Sequence, residues 1–565
     1  MRAAWFLKEV SSSIWSNLTS VWNCLLIGTF IGFFTSSFHL SCTSRHLCVK
    51  VTSRFNSVPK PWCYIFFWIF GEKQGGEMVP TIAGMCGQHK SKDGEELCEK
   101  PKRTSTINKR CRTKQLAPLV IALVGLPARS KTVIAHKLTR YLNWIGEVAE
   151  VFTVSDYRRK LMERYDNHNL FRADNHEAME IRSKSAELAM SDAEDWLKGS
   201  GNVVVIDGTH IGRSHRRKVH DHFVEHLGCK LLFVEVICDD DDILSRNIKD
   251  VLTNSPDYKD MNAEKALDDF HHKIQHYLEQ YETINPKQEG YSVIKIIDDG
   301  ESISTHNVTG YIEGKVLTFL SNFKPSPKTL YFSRHGESEY NVLGRIGGDT
   351  DLSPRGRLYG LSLARHINDA AIPDLEVWTS QLRRTKQTAA NINAPTEHLA
   401  ALNELDAGVC EGLSYEEMQE KFPQEFAWRD QDKLRYRYPW GESYVDIMTR
   451  IEPVLLDLEH ENNVLVISHQ AILRCILGYF LNKQPEELPY LNVPLHTIIK
   501  LTSDGYSCNV EYTKLPVDCV DTYRKQPKNC STSRSQDDAL LTVPFHFDSL
   551  NLWSVKDHSE LIEQH

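Results

Sequence analysis

From residue 119 onward, short unbroken runs of β-branched and aliphatic residues recur along the chain, each closing in a polar or glycine-bearing turn. Leu119–Gly125 (LVIALVG), Val203–Asp207 (VVVID) and Leu231–Cys238 (LLFVEVIC) are of the kind buried on both faces of a parallel sheet. Helical stretches lie between them. Leu330–Gly336 (LYFSRHG) and Val464–Gln470 (VLVISHQ) repeat the pattern after the proline-bearing segment Ser321–Lys328. Strands alternating with helices predict an α/β layer fold in two domains.

The first 115 residues read differently. Ser11–Phe38 carries no Asp, Glu, Lys or Arg, and its core is long enough to span a bilayer. Two readings stay open there: a membrane anchor over residues 18–40, with the heavier basic flank behind it placing the body in the cytosol, or an unstructured terminus. Glu99–Lys114 (EKPKRTSTINKRCRTK) is basic, polar and without apolar period, as in a linker. The chain beyond Pro516 is Ser- and Asp-rich and reads as a tail. The expected division is 1–115, an amino-terminal extension with linker; 116–326, a first domain; 327–515, a second; and 516–565, the tail.

The chain has 565 residues, 41% of them apolar and 25% charged, which excludes a wholly disordered or polytopic membrane protein. Its net charge of −9 argues against nucleic-acid binding by bulk charge. Seven of the 14 cysteines fall in the first 111 residues and no CxxC pair occurs anywhere. That distribution supports neither a zinc ribbon nor a disulfide framework, and the expected location is cytoplasmic.

Two constellations carry chemistry. In the second half, RHGE (Arg334–Glu337) closes a strand and is followed by GRIGGDTDLSPRGR (Gly344–Arg357), TSQLRRTKQTA (Thr379–Ala389), NELDAG (Asn403–Gly408) and SHQ (Ser468–Gln470). In the first half, GLPARSKT (Gly125–Thr132) follows a strand where a phosphate-binding loop belongs, with Ser130 in place of the loop's second glycine. Glycine belongs there because the backbone must approach phosphate closely, and a Cβ clashes or disfavours the needed dihedrals, at about 1–2 kcal/mol.

The RHGE set resembles the histidine phosphatase superfamily in order and spacing. With DQDKLRYRYP, GESY, ELPYL and PLHT, it resembles more closely the phosphatase half of the 6-phosphofructo-2-kinase/fructose-2,6-bisphosphatase family. The resemblance covers about Leu116 to Pro544, and IDGT, FVEVICDD and SPDY extend it through the kinase half. It implies a P-loop kinase-like parallel sheet with helices, followed by a phosphoglycerate-mutase-like α/β domain. A phosphoglycerate mutase would share RHGE and SHQ, but the preceding kinase-like domain and the GESY region argue against one.

Under this resemblance His335 is the nucleophile that becomes a phosphohistidine. Arg334 and Arg384 grip the phosphate oxygens by charge-assisted forks, His469 adds a donor, and Glu404 moves the proton. The family's sugar-phosphate contacts match Asn341, Gly347, Tyr415, Arg429, Lys433, Tyr444, Gln470 and Arg474, with the basic three answering the second phosphate. No cofactor is implied for this half and no metal site. In the kinase half the matching positions are Gly125, Lys131, Thr132, Asp207, Arg182 and Tyr277, with ATP and Mg2+ as the implied partners.

Departures from the family concentrate in that kinase half. DGTHIGRSHR (Asp207–Arg216) brings His210, Ile211 and His215 where the family has Asn, Thr and Arg. Leu252 replaces a lysine, and His272 and Lys273 replace two arginines. The expectation is an impaired kinase beside an intact phosphatase acting on fructose 2,6-bisphosphate and yielding fructose 6-phosphate; a working kinase is the alternative. The resemblance also implies a homodimer through the kinase halves.

Overall fold

The computed structural model describes residues 34–43, 46–55, 68–74, 77–83, 117–162, 165–503, 505 and 508–526. It divides into two compact units, Met1–Arg103 and Thr104–His565. In the first unit β1 (Phe34–Thr43) pairs antiparallel with β2 (His46–Phe55), and β3 (Trp68–Gln74) with β4 (Glu77–Ala83). The carboxyl end of the stretch considered as a membrane anchor is therefore strand: Phe34–Leu40 lie in β1, paired with β2. Residues 18–33, the basic linker 99–114 and the tail after residue 526 lie outside the described residues. Among the described residues no helix is long and apolar enough to cross a membrane.

In the second unit, β5 (Leu119–Val124) is buried at every position and sits mid-sheet, as an unbroken aliphatic run requires. Around it stand β6 (Ala149–Thr153), β7 (Val203–Asp207), β8 (Lys230–Ile237), β9 (Ser292–Ile297) and β10 (Ser302–His306), in the order β10-β9-β8-β5-β7-β6. All neighbours are parallel except β10 and β9. The chain leaves β5 toward β7 and β6 on one side and returns to β8 on the other. That reversal opens a crevice at the carboxyl ends of β5 and β7.

The second sheet is built the same way. Its strands are β11 (Lys328–Arg334), β12 (Glu376–Thr379), β13 (Thr396–His398), β14 (Val464–Ser468), β15 (Thr497–Ser503) and β16 (Cys508–Lys514), in the order β13-β12-β14-β11-β15-β16. Parallel register sets Arg334 of β11 opposite Ser468 of β14, and Ile467 of β14 opposite Thr379 of β12. Three adjacent strands thus end at one edge, delivering His335, His469 and Ser380 to the same place.

One apolar core runs through both halves of this unit. The helix Lys131–Trp144, which starts at the phosphate-binding loop, carries the polar ties across. Tyr141 donates to Glu452 at 2.7 Å, Trp144 Nε1 to the Met448 carbonyl at 3.2 Å, and Arg140 to the Phe480 carbonyl at 3.2 Å. Arg140 also pairs with Glu459, a carboxylate 1% exposed. Replacing Arg140 by Met leaves that charge buried without its cation; the expected loss of stability is about 3 kcal/mol, read as a lowered thermal unfolding midpoint. An unchanged midpoint would contradict this role for the pair.

Candidate active site

His335 sits one residue past β11, and its backbone N–H donates to the Ser468 carbonyl at 3.0 Å, locking the ends of β11 and β14 together. The next residue must be glycine: a Cβ at Gly336 would stand 2.4 Å from the Gly356 carbonyl oxygen. The His335 Nδ1 lies 2.7 Å from the Gly336 carbonyl. A carbonyl only accepts, so Nδ1 carries the hydrogen and Nε2 keeps its lone pair. Burial first, then Arg384 and Arg334, hold this imidazole well below its ordinary pKa, so it is neutral.

His469 caps the helix Gln470–Phe480 one residue past β14 and is fully buried. Its ring centroid is 5.1 Å from that of His335. Its Nε2 meets Ser380 Oγ at 2.7 Å, while Nδ1 is buried with no partner. Burial, then Arg384, His335 and Arg334, keep it neutral as well.

The two arginines are buried to 3% exposure each. Arg334 Nη1 donates to the Val493 carbonyl at 3.1 Å and to Thr522 Oγ1 at 2.7 Å, and its Nε has no partner. Arg384 Nη1 donates to the Gly348 carbonyl at 2.6 Å. Among the described residues neither guanidinium forms an ion pair, and burial pushes the pKa of Arg334 down to about 10. Glu404 is tied by Oε1 to the backbone N–H groups of Leu405 at 2.9 Å and Ala471 at 3.3 Å. It lines a cavity of about 530 Å³ with Gly347, Gly348, Asp349 and Arg450.

The expected sugar-phosphate residues also assemble. Arg429 donates to Tyr438 at 2.7 Å and to Tyr415 at 3.3 Å, with its guanidinium 4.8 Å from the centroid of the Tyr415 ring. Arg474 donates to the Leu491 carbonyl at 2.7 Å and to Tyr444 at 3.1 Å. Lys433 donates to the Pro489 carbonyl at 3.2 Å, and burial, then Arg474 and Arg429, hold its amine well below the ordinary value. Gln470 leaves Nε2 buried without a partner. Gly347 takes φ +63°, and a Cβ there would stand 2.0 Å from Glu411 Oε2. Asn341 spends its Oδ1 on the Ser338 N–H at 3.0 Å, so here it caps a helical turn.

Three participants carried no signal in the motif reading. Glu337 of RHGE is not aimed at the chemistry: it is fully buried and accepts from Arg355 at 2.8 and 2.9 Å, Ser353 at 2.7 Å and the Val520 N–H at 2.9 Å. Ser380 holds His469. Arg524, from the segment after β16, lies 4.9 Å from the centroid of the Tyr415 ring.

In the kinase half the crevice between β5 and β7 holds Gly125, Lys131, Thr132 and Asp207. Gly125 takes φ +142° and donates its N–H to the Thr209 carbonyl at 3.0 Å. Ser130 adopts φ 52°, ψ 11°, the left-handed backbone for which glycine is the usual residue. Lys131 is folded back onto the Leu126 carbonyl, and burial pushes its pKa down to about 8. Thr132 donates to Asp207 at 2.8 Å, and burial raises the Asp207 pKa. The pairing sets two hard oxygen ligands side by side, which fits a magnesium ion.

Four of the departures from the family pattern, His210, Ile211, Leu252 and Lys273, are absorbed by packing, while His215 and His272 are exposed. His210 (φ 40°) places Nδ1 2.8 Å from the Leu123 carbonyl, and Ile211 is buried beside Leu126, Phe171 and Tyr277. Leu252 packs with Tyr258, Phe270 and Met261, and Lys249 is exposed on the same helix, Asp241–Asn254. Lys273 lies 4.5 Å from the centroid of the Phe171 ring, its pKa pushed down to about 7 by burial and then by Arg158. Arg182 donates to the Phe171 carbonyl at 3.4 Å and the Arg172 carbonyl at 3.3 Å, with Nε buried and unpartnered; Tyr277 is buried.

Burial lowers the His210 pKa to about 4. The unfolded chain protonates near 6.5 and so binds more protons than the native state between those values. This histidine's contribution is present above pH 6.5 and is lost as pH falls through 4, amounting to about 3 kcal/mol. Unfolding midpoints measured from pH 7 to 4 are expected to fall less steeply for His210→Asn than for the unsubstituted protein. Parallel curves would contradict this.

Comparison with known proteins matches residues 106–327 to the 6-phosphofructo-2-kinase model and residues 330–515 to the histidine phosphatase superfamily, branch 1. A 6-phosphofructo-2-kinase/fructose-2,6-bisphosphatase from Aquarana catesbeiana is 50% identical over 433 residues, covering 76% of this chain and 92% of that protein. The Gallus gallus protein of the same name is 49% identical over 432 residues, with the same shares. The Homo sapiens 6-phosphofructo-2-kinase/fructose-2,6-bisphosphatase 4 is 47% identical over 431 residues, again covering 76% and 92%.

Proposed function

This chain belongs to the 6-phosphofructo-2-kinase/fructose-2,6-bisphosphatase family, and from that membership we propose that it controls the level of fructose 2,6-bisphosphate, mainly by hydrolysing it. The division proposed is an extension over 1–115, a kinase half over 116–326, a phosphatase half over 327–515 and a tail over 516–565, in a cytoplasmic protein. The observation that carries the reading is the bare Nε2 of His335, fixed by the Nδ1 bond to Gly336 and flanked by Arg334, Arg384 and His469.

The reaction runs in two steps. Nε2 of His335 attacks phosphorus of the C2 phosphate; the N–P bond forms as the bond to the sugar oxygen breaks, and Glu404 supplies that oxygen's proton. Water then attacks the phosphohistidine, giving its proton to Glu404, and inorganic phosphate and fructose 6-phosphate leave. Arg334, Arg384 and His469 hold the charge on the equatorial oxygens throughout. Arg429, Lys433 and Arg474 hold the phosphate at C6, and no cofactor is needed.

The kinase half is read as impaired. Support comes from Leu252, which gives its place to an apolar cluster, from Ser130 in a left-handed conformation, and from Lys131, which is spent on a carbonyl. In the second reading the chain is fully bifunctional, and the assembled Thr132–Asp207 pair favours it. When bound, Mg2+ would neutralise phosphate charge on ATP; Thr132 and Asp207 are the residues to hold it, with Lys131 for the terminal phosphates.

The test is a pair of assays on the full chain. Hydrolysis of fructose 2,6-bisphosphate is expected to fall on the order of 10⁴-fold in His335→Ala; normal hydrolysis by that variant would sink the mechanism. The same variant, given MgATP and fructose 6-phosphate, is expected to make no bisphosphate. Clear synthesis would overturn the impairment and establish the bifunctional reading.

A further inference from the structure

The residue behind His469 is Ser380, the first residue past β12, and its hydrogen bonds have a direction. Thr385 Oγ1 donates to the Leu382 carbonyl at 2.9 Å, with the Ser380 carbonyl also in reach at 3.1 Å. With that one hydrogen on a carbonyl, Ser380 is the donor and Thr385 the acceptor in the 2.8 Å contact between the two hydroxyls, a contact whose distance fits either direction. The Leu382 N–H donates to Ser380 Oγ at 3.2 Å. With its own hydrogen spent on Thr385, Ser380 Oγ has only acceptor capacity left for His469 Nε2, 2.7 Å away. In this arrangement Nε2 carries the hydrogen of the neutral ring. Ser380, Thr385 and His469 are all fully buried, so water offers no alternative.

This leaves the other nitrogen in a particular state. His469 Nδ1 is bare, buried and without a partner. A bare nitrogen is an acceptor, and so is every oxygen of a phosphate dianion. The two cannot bond until one of them gains a proton.

We propose that Ser380 is a positioning residue that fixes the His469 tautomer and thereby couples anion binding at this site to the uptake of one proton. The proton comes from solvent and ends on His469 Nδ1, which then donates to the anion while Nε2 keeps its bond to Ser380. No other bond forms or breaks. The charged and titratable groups facing the ring are cationic or neutral: Arg334 at the end of β11, His335 beyond it, Arg384 on the helix Arg383–Ala389, and Arg450 on the helix Tyr444–Arg450. Glu404 is the acidic group that faces both Arg334 and Arg384. The arriving dianion reverses the local field, and the imidazolium becomes the favoured form only then. The substrate's C2 phosphate thus meets two imidazoles in different states, a neutral nucleophile at His335 and a charged donor at His469.

The inference rests on the phosphatase reading of the site, and its test can fail separately. Sulfate is a suitable probe because it stays a dianion from pH 6 to 9 and brings no proton of its own. Calorimetric titration of the full chain with sulfate, in two buffers of different ionisation heat, gives the protons taken up per ion. The unsubstituted protein is expected to take up about one proton more than Ser380→Ala at pH 7. In that variant Nε2 has lost its acceptor, and the neutral ring can carry its hydrogen on Nδ1 and donate without a solvent proton. Thr385→Val is expected to lower the uptake likewise, because it frees the Ser380 hydrogen to turn toward Nε2; Ser380→Thr is expected to retain it. Sulfate also meets the cations of the C6 subsite and the kinase crevice, but those contributions are common to all the proteins and cancel in the difference. Sulfate inhibition of hydrolysis should weaken about tenfold per pH unit of rise in the unsubstituted protein and less steeply in Ser380→Ala. Equal uptake in the unsubstituted protein, Ser380→Ala and Thr385→Val, alongside normal hydrolysis of fructose 2,6-bisphosphate, overturns the tautomer proposal alone. Absence of hydrolysis in the unsubstituted protein overturns the phosphatase reading instead.

Discussion

Arg334 and Arg384 are taken out of water with no carboxylate among the described residues paired to either; each donates to neutral oxygens at distances of 2.6 to 3.1 Å. Removing a guanidinium from water costs several kcal/mol, and a carbonyl or hydroxyl returns only part of that. The nearby imidazoles are held neutral by the same burial and the same arginines. The rest of the site serves to keep these four side chains together. Glu337, buried beneath them, spends its charge on Arg355 and on a backbone N–H, so that it braces the strand end without neutralising the pocket. An incoming phosphate supplies the missing negative charge at full strength, because the pocket is already desolvated and oriented.

The kinase crevice shows the opposite balance. It retains the loop lysine, the hydroxyl and the carboxylate, but they are satisfied by one another and by backbone. The position of a family lysine is a leucine in an aromatic cluster, and His210, where the family has an asparagine, fills space as a neutral ring. The half still folds well, since its strands bury continuous aliphatic runs, and its helix Lys131–Trp144 is bonded into the neighbouring domain.

Much of this was legible in the sequence. The central strands declared themselves because burial on both faces leaves no polar position: β7 lies at Val203–Asp207, where VVVID placed it, and β14 begins at Val464. The edge strand β6 was silent, since AEVFT is only partly buried and has no clean period. His335, Arg334, Arg384 and His469 carried chemical signatures, whereas the basic cluster around Lys433 was named by the family resemblance alone. Ser380 and Thr385 carried none, because a hydroxyl's role depends on which acceptor its single hydrogen faces. Arg524 was equally hidden, for only the return of the chain after β16 brings it to Tyr415. Asn341, which matches the family's motif, also caps a helical turn through its Oδ1.

The central claim is that the phosphate passes through Nε2 of His335. The most direct measurement is to mix the full chain with fructose 2,6-bisphosphate labelled with ³²P at C2 and quench it in alkali, where a phosphohistidine survives. The protein is then digested and the labelled peptide identified. The account predicts one label, on the peptide bearing His335, forming and decaying at rates that match turnover. Hydrolysis proceeding with no labelled protein, or with the label on another residue, would contradict it.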